Sequence, residues 1–365
     1  MKPVKLLIIG AGNRGTVYAS YGRQHPEQAV ITGVAEPREF YRQQMAETYC
    51  IPEENVFVDW KDVLKRPPLA DAAILATQDS LHVEPAVALL EKGYHLLLEK
   101  PMAPNEAGCR EIVEAARHSE KFFAVAHVLR YTPYTKKLKS LLDSGVIGEI
   151  MSIQHLEPVG YWHFAHSFVR GNWRNERESS PILLAKSCHD LDWIRYIIGT
   201  PCQAISSFGS LIHFRKERQP VNAADRCVDC TYEPQCPYSA KKIYLERVRR
   251  GECEWPVDVI TPVVTETNVK RAIEIGPYGR CVYACDNDVL DHQVVNMMFE
   301  QGKTATFTLS AFTRMEDRRT SIFGTEGELY GNGEQIRYTN FLTDQTTFCF
   351  SGLRQRSESD SLRSC

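Results

Sequence analysis

Three groups of residues in this 365-residue chain have the types and spacing to do chemistry. The first is Gly10-Ala11-Gly12-Asn13-Arg14-Gly15, directly after an apolar run. In a GxGxxG pattern the first glycine permits a tight turn, the second lets a pyrophosphate approach the backbone, and the third allows close helix–strand packing. The helix that opens there offers free N–H groups and a positive dipole end to phosphate. Glu36 stands at the end of the next apolar run, roughly 20 residues on, where an acid binds the adenosine ribose hydroxyls. An acid there repels a 2′-phosphate and favours NAD, while the nearby Arg38 keeps NADP open.

The second group lies on a predicted helix over 184–198. On a helical wheel Lys186, His189, Asp190 and Trp193 fall on one strip, beside an apolar-leaning face of Ser187, Leu191, Ile194 and Ile198. Such a strip could hold a polyhydroxylated substrate and move its proton; the plainer reading is a solvated helix face. Upstream, His163, His166, Arg170, Trp173 and Arg174 share one aromatic and basic stretch. Aromatics stack on sugar faces and arginines grip hydroxyls or carboxylates, so this reads equally as a substrate loop or as an aromatic edge pinning a loop.

The third group is Cys227, Cys230 and Cys236, with Cys253, Cys281, Cys285 and His292 as further candidates. Thiolates two residues apart can share a tetrahedral zinc. No second CxxC completes the pattern, so packing thiols are the preferred reading and no metal is assigned; structural zinc and, less favoured, an iron–sulfur centre stay open.

The elements that must position these groups follow from the apolar periodicity. Up to residue 127, apolar runs at Leu6–Ile9, Val30–Ala35, Ala72–Ala76, His95–Leu98 and Phe122–Ala126 alternate with helix-like segments near 14–24, 38–49, 81–92 and 105–118. Strand–helix–strand repetition predicts a parallel, doubly wound sheet. A further helix is expected near 133–143. From 149 onward strand-like segments at 149–157, 202–213, 293–300, 303–312 and 319–330 outnumber helices at 184–198, 237–249 and 266–275. That predicts an α+β domain with a mainly antiparallel sheet. The domains are therefore 1–127 and 128–350, with 351–365 a serine-rich tail expected to be disordered.

Composition bounds the function. Lys plus Arg is 43 and Asp plus Glu 46, a net charge of −3, which provides no general field for nucleic acid or an anionic membrane. No apolar run approaches the ~18 residues of a membrane span. The N-terminal MKPVKLLIIGAG leads into the glycine pattern and not into a cleavage site, so it reads as a first strand. Scattered cysteines fit a reducing compartment, and the expected location is cytoplasmic.

The same residues resemble the glucose–fructose oxidoreductase / inositol dehydrogenase (Gfo/Idh/MocA) family over about 4–332. GAGNRG matches its glycine loop. Ala76-Thr77-Gln78-Asp79-Ser80-Leu81-His82 resembles its fourth-strand motif, with Gln78-Asp79 in place of the usual Pro-Asn. Glu91-Lys92-Gly93-Tyr94-His95 followed by Glu99-Lys100-Pro101 is the most specific match. Arg130-Tyr131-Thr132-Pro133, Gly145-Val146-Ile147-Gly148 and Gly324-Thr325-Glu326-Gly327-Glu328-Leu329 resemble later family segments.

The resemblance implies a Rossmann domain followed by an α/β domain with an open antiparallel sheet, through whose outer face copies self-associate. It implies NAD (or NADP) held by Gly10, Gly12, Asn13, Arg14, Gly15, Glu36, Thr77, His82, Glu99 and Lys100. It implies hydride exchange with a sugar, inositol or related polyol, Lys100 and His189 being catalytic, Glu99 orienting Lys100 or the ribose, and Lys186, His189, Asp190 and Arg174 facing substrate. A lysine serves as base when burial and a nearby positive charge disfavour its ammonium form. The family places an Asp four residues before the His, where this chain has Ala185. It also continues past the Gly-Thr-Glu-Gly-Glu-Leu turn, so the chain reads as a shortened form. Two rival readings follow, an NAD-dependent glycosidase and a non-catalytic nucleotide-binding protein.

Overall fold

A computed structural model of the chain describes residues 2–350. The described residues form two compact units that divide between Ala126 and His127. The predicted tail lies outside the described residues.

In the first unit, in chain order, are β1 (Val4–Ile9), α1 (Asn13–Gln24), β2 (Ala29–Ala35), α2 (Glu39–Tyr49), β3 (Val56–Phe57), α3 (Trp60–Leu64), β4 (Ala72–Leu75), α4 (Val83–Glu91), β5 (His95–Leu98), α5 (Glu106–Ser119) and β6 (Phe123–Val125). All strands are parallel, in the order β3-β2-β1-β4-β5-β6. Continuous apolar strands such as VKLLII and AAIL are what a sheet buried on both faces requires. Leu7 and Ile9 pack on one face with Leu89, Leu90 and Ile112; Ile8 packs on the other with Ala19 and Met45. The order reverses between β1 and β4, the crevice in which open α/β sheets bind ligands. The short β3 and α3 were not expected, because two- and five-residue elements show no periodicity.

The second unit contains α6 (Pro133–Asp143), β7 (Ile150–Pro158), α7 (Tyr161–Phe164), α8 (Ile182–Ala185), α9 (Cys188–Ile198), β8 (Cys202–Ser210), α10 (Glu246–Arg249), α11 (Val257–Ile260), α12 (Glu266–Ile275), β9 (His292–Phe299), β10 (Thr304–Ser310), β11 (Arg319–Gly324), β12 (Gly327–Gly331), β13 (Gln335–Asn340) and β14 (Gln345–Phe350). Its eight-stranded sheet runs β14-β13-β12-β11-β7-β10-β9-β8. Only β7 and β10 pair in parallel. Alternation in β10 turns Ala305, Phe307 and Leu309 into the core, where Ile153, Ile194 and Ile197 meet them.

The sequence pattern and the structure differ in several places here, among them the unexpected hairpin β13–β14. The expected helix over 184–198 breaks at Lys186 and Ser187, so α8 and α9 are separate. The expected strand over 319–330 is the hairpin β11–β12. The expected helix over 237–249 is a π-helical turn, Lys241–Leu245, running into α10.

Candidate functional site

Four strand ends of the first unit carry the residues singled out from the sequence. After β1, Gly10 has a φ of +90°, and a Cβ there would lie 2.6 Å from the Ala76 carbonyl oxygen. A Cβ on Gly15 would lie 2.0 Å from the Gly10 oxygen. Both positions therefore require glycine. Gly12 caps α1 without a side-chain hydrogen bond, and no acid stands in the first turn. Exposed Asn13 and Arg14 open that turn, which is left as an anion site of the phosphate-binding kind.

Glu36 follows β2 and is only 2% exposed. It accepts from the Ala11 N–H (2.8 Å) and the Arg38 N–H (3.0 Å), and from Arg38 Nε (2.7 Å) and Nη2 (3.0 Å). Burial works to raise its pKa, but the bonds and charge of Arg38 outweigh it and hold the carboxyl below its usual range. Arg38 also lies over the Tyr41 ring, 4.2 Å from its centroid. The guanidinium that left NADP open is thus already committed to the acid.

Glu99 and Lys100 follow β5. Buried Glu99 accepts from Arg14 Nε, the Tyr18 hydroxyl and the Lys100 N–H, each at 2.7 Å. Arg14 Nη2 donates to the same hydroxyl at 2.8 Å. Burial, then the Glu99 charge, pushes Tyr18 up to about 12, so the phenol stays a donor. Tyr18 was not picked out from the sequence; its signal was its place one turn after Arg14 on the same helix. Lys100 is part-buried and precedes Pro101 through a cis peptide bond.

Thr77 and His82 lie between β4 and α4. The Thr77 hydroxyl donates to the Leu81 carbonyl at 3.2 Å. His82 is fully buried, with Nδ1 2.8 Å from the Pro101 oxygen and Nε2 3.2 Å from the Thr77 oxygen. Its ring ties the two turns together and presents no nitrogen to a ligand, which corrects its expected role as a cofactor contact.

The second unit rearranges the expected substrate residues. Asp190 is 0% exposed. It accepts from Arg318 Nε at 2.6 Å and Nη2 at 3.4 Å, and its Oδ1 lies 3.1 Å from His155 Nε2. His155 continues to Thr320 Oγ1 at 2.7 Å and stacks on Trp193, whose indole donates to Thr135 Oγ1 at 2.9 Å. Arg318 also pairs with Glu157 at 2.8 Å, and Glu157 with Lys186 at 3.2 Å. Asp190 and Trp193 are therefore interior groups, not a substrate strip. They share the buried face of α9 with Ile194, Ile197 and Ile198. Lys186 keeps a part-exposed ammonium on this network.

His189 is part-buried, with its ring edge-on to His127 at 5.9 Å between centroids. His127 Nδ1 lies 3.9 Å from Asp192 Oδ2. Arg130 holds Asp192 with Nε at 2.7 Å and with Nη2, and lies over the Tyr196 ring. Asp192 lies one turn after His189 on the same helix, with its carboxylate held by Arg130. Sequence reasoning did not single out His127 or Asp192.

Arg174 is committed to Asp286, at 3.0 Å from both Nε and Nη2, and to Glu178 at 2.9 Å. This removes it from the expected substrate set. In the aromatic stretch before it, 164–170 are buried in the core, while Trp173 stays exposed. His166 is buried, 2.8 Å from the Tyr244 hydroxyl and stacked on Tyr278. Burial, then the charges of Arg170 and Arg247, lowers its pKa to about 3; burial also lowers His163. Between their ordinary pKa and these values the unfolded chain takes protons that the folded chain refuses. Stability therefore falls as pH falls through the window from 6.5 to about 3. The urea midpoint at a pH of about 4.5 should be lower than at neutral pH by the equivalent of about 2–3 kcal/mol for His166 alone. His166→Gln should flatten that dependence; an unchanged slope would show that His166 does not cause it.

With this geometry in hand, comparisons with known proteins place the chain. Residues 4–127 match the oxidoreductase family's NAD-binding Rossmann fold, and 139–347 match that family's C-terminal alpha/beta domain. The chain belongs to the Gfo/Idh/MocA family of oxidoreductases. An oxidoreductase of Bacillus subtilis strain 168 named YteT is 23% identical over 317 residues, covering 83% of this chain and 70% of that protein. A levoglucosan dehydrogenase of Pseudarthrobacter phenanthrenivorans is 28% identical over 214 residues, covering 58% of this chain and 49% of its own. The inositol 2-dehydrogenase of Streptomyces avermitilis is 27% identical over 201 residues, covering 54% of each. The chain thus spans about half the length of the two named dehydrogenases. A solved levoglucosan dehydrogenase in complex with NADH and L-sorbose shares the fold at a TM-score of 0.68, with 19% identity, 96% of this chain and 80% of the other covered. Among the described residues no helix is long and apolar enough to cross a membrane.

Proposed function

We propose that this chain transfers a hydride between a nicotinamide and a CH–OH carbon of a sugar, inositol or related polyol. The observation that carries it is the convergence, at the β1, β2 and β5 ends, of the glycine turn, buried Glu36 and the Glu99–Lys100 turn. The residues fit a dinucleotide: an uncapped helix N-terminus for the pyrophosphate and a fixed acid for the ribose. When bound, the nicotinamide supplies the hydride acceptor or donor. Lys100 takes the proton from the hydroxyl oxygen in oxidation and returns it in reduction. Glu99, held by Arg14 and Tyr18, is a positioning residue: it fixes the Lys100 backbone. In the second unit His189, with His127 and Asp192, is the candidate polyol-binding and proton-moving group, and Lys186 a candidate hydroxyl donor. The exposed apolar side chains of the eight-stranded sheet, Met151, Ile205, Phe208 and Met298, suit self-association.

Titration with NADH and NADPH, read by nicotinamide fluorescence, tests this reading. NADH should bind saturably and more tightly. Glu36→Ala should release Arg38 to a 2′-phosphate and move the NADPH/NADH affinity ratio by about tenfold or more toward NADPH. Binding by neither nucleotide would remove the proposal. Binding followed by net NADH formation from NAD and a polyol would separate it from a redox-neutral glycosidase and from a non-catalytic binder.

A further inference from the structure

Four free thiols of the second unit surround one small cavity. Cys227, Cys230, Cys236 and Cys281 line a space of about 20 Å³ together with Arg170 and Tyr283. That is room for a single atom-sized guest. The backbone brings them there by long-range pairing. Arg226 bridges Arg280, the Cys227 N–H donates to the Gly279 carbonyl (2.9 Å) and the Cys281 N–H to the Asp225 carbonyl (2.8 Å). Cys230 and Cys236 bracket the tight turn that follows, in which Glu233 N–H donates to the Cys230 carbonyl and Cys236 N–H to that of Glu233. Three closely spaced cysteines and one remote cysteine is a spacing that metal centres use, and it is the fourth ligand that spacing alone left undecided. Among the described residues no group of three or more His, Cys, Asp or Glu side chains stands arranged to hold a metal ion; the four cysteines line the cavity and their side chains must close on the metal as it binds.

The second observation is Arg170, only 1% exposed and on the wall of the same cavity. It donates to the carbonyls of Arg280 (2.7 Å) and Tyr238 (2.8 Å) and to Cys227 Sγ (3.5 Å), while its Nη1 finds no acceptor. Its nearest ionisable partners are thiols and a phenol, with no carboxylate among them. A guanidinium cannot shed its proton, and burying it without counter-charge is costly. Metal-bound thiolates supply that counter-charge. Cys227 Sγ also accepts from the Ala240 N–H at 3.4 Å, the kind of outer bond that steadies a ligating sulfur.

We propose that Cys227, Cys230, Cys236 and Cys281 bind one zinc ion, which ties the 225–240 loop to the 279–281 segment. On binding, each thiol releases its proton to solvent and forms a metal–sulfur bond, with no change in oxidation state required of the protein. The site is distinct from the nucleotide-binding residues, and its role is structural.

The full chain, purified without oxygen or chelator, should carry close to one centre per molecule. Elemental analysis should find zinc without acid-labile sulfide; iron with matching sulfide would overturn the single-ion site. Cys227→Ser and Cys281→Ser should each lower the content by about fivefold or more, whereas Cys50→Ser, at an exposed position, should not. If the serine variants fail to fold, the wild type suffices: after chelation, cobalt(II) should restore a thiolate charge-transfer band that zinc then displaces. Folded wild type with fewer than about 0.1 equivalents of zinc, and no such band, would overturn the proposal.

Discussion

Lys100→Met is expected to lower kcat with a polyol substrate by about a thousandfold, roughly 4 kcal/mol of barrier, with NADH affinity within about threefold of the wild type. The expectation rests on a turn held from both sides. On the N-terminal side the Lys100 N–H is tied to Glu99, itself fixed by Arg14 and Tyr18. On the C-terminal side the Pro101 carbonyl meets the buried His82 ring at 2.8 Å. These bonds involve the backbone around Lys100, so removing its ammonium leaves them in place. Methionine keeps the length and the apolar stem and cannot carry a proton. The glycine turn and Glu36, which we propose hold the nucleotide, are untouched. Steady-state kinetics and NADH fluorescence titration read the two effects separately. A variant that keeps a tenth of its turnover would show that Lys100 is not the proton carrier. One that loses NADH binding as well would make Lys100 a binding residue.

The parts of this molecule that were legible in the sequence are those whose physics is local. Gly10, Gly12 and Gly15 sit within one turn, between a strand and a helix that announce themselves by apolar runs. Glu36 is set by the length of one helix and one strand. The same holds for the parallel and antiparallel sheets, whose alternation differs in kind. What the sequence could not show is which distant groups meet. Asp190 reads as a solvated acid beside a histidine until Arg318, far along the chain on the approach to β11, is brought to 2.6 Å from it. Trp193 likewise reads as part of an outer strip, whereas the face of α9 that packs inward carries Asp190 and Trp193 together with Ile194 and Ile197. Cys281 joins Cys227 only through a bridge between Arg226 and Arg280. Arg174 and His166 looked like ligand-gripping residues because their types suit that work; Asp286 and Tyr244, their partners, lie in other segments. Residue type states what a side chain is able to do, and long-range pairing decides whether it is free to do it.

That distinction yields the second large effect. Asp190→Ala should destabilise the second unit by about 3 kcal/mol or more, because it strips a carboxylate from a cation that stays part-buried. Arg318 would keep Glu157, at 2.8 Å, which holds the cost to the lower end of the range for a broken buried pair. His155 would lose the partner of its Nε2 while staying stacked on Trp193. Burial on its own would raise the Asp190 pKa, but Arg318 and His155 overcome it and hold the carboxyl well below its usual range. The stability it contributes is therefore present above the unfolded carboxylate pKa and is lost only as pH falls through the lowered folded value. At neutral pH the variant should melt roughly 6–12 °C lower. NADH binding, which we propose is carried by Gly10, Gly12, Gly15 and Glu36 in the other unit, should persist below the new melting point. Asp190→Asn should recover part of the loss, since its amide oxygen can still accept from Arg318. A substrate-facing aspartate would behave in the opposite way, raising KM for the polyol with the melting temperature unmoved.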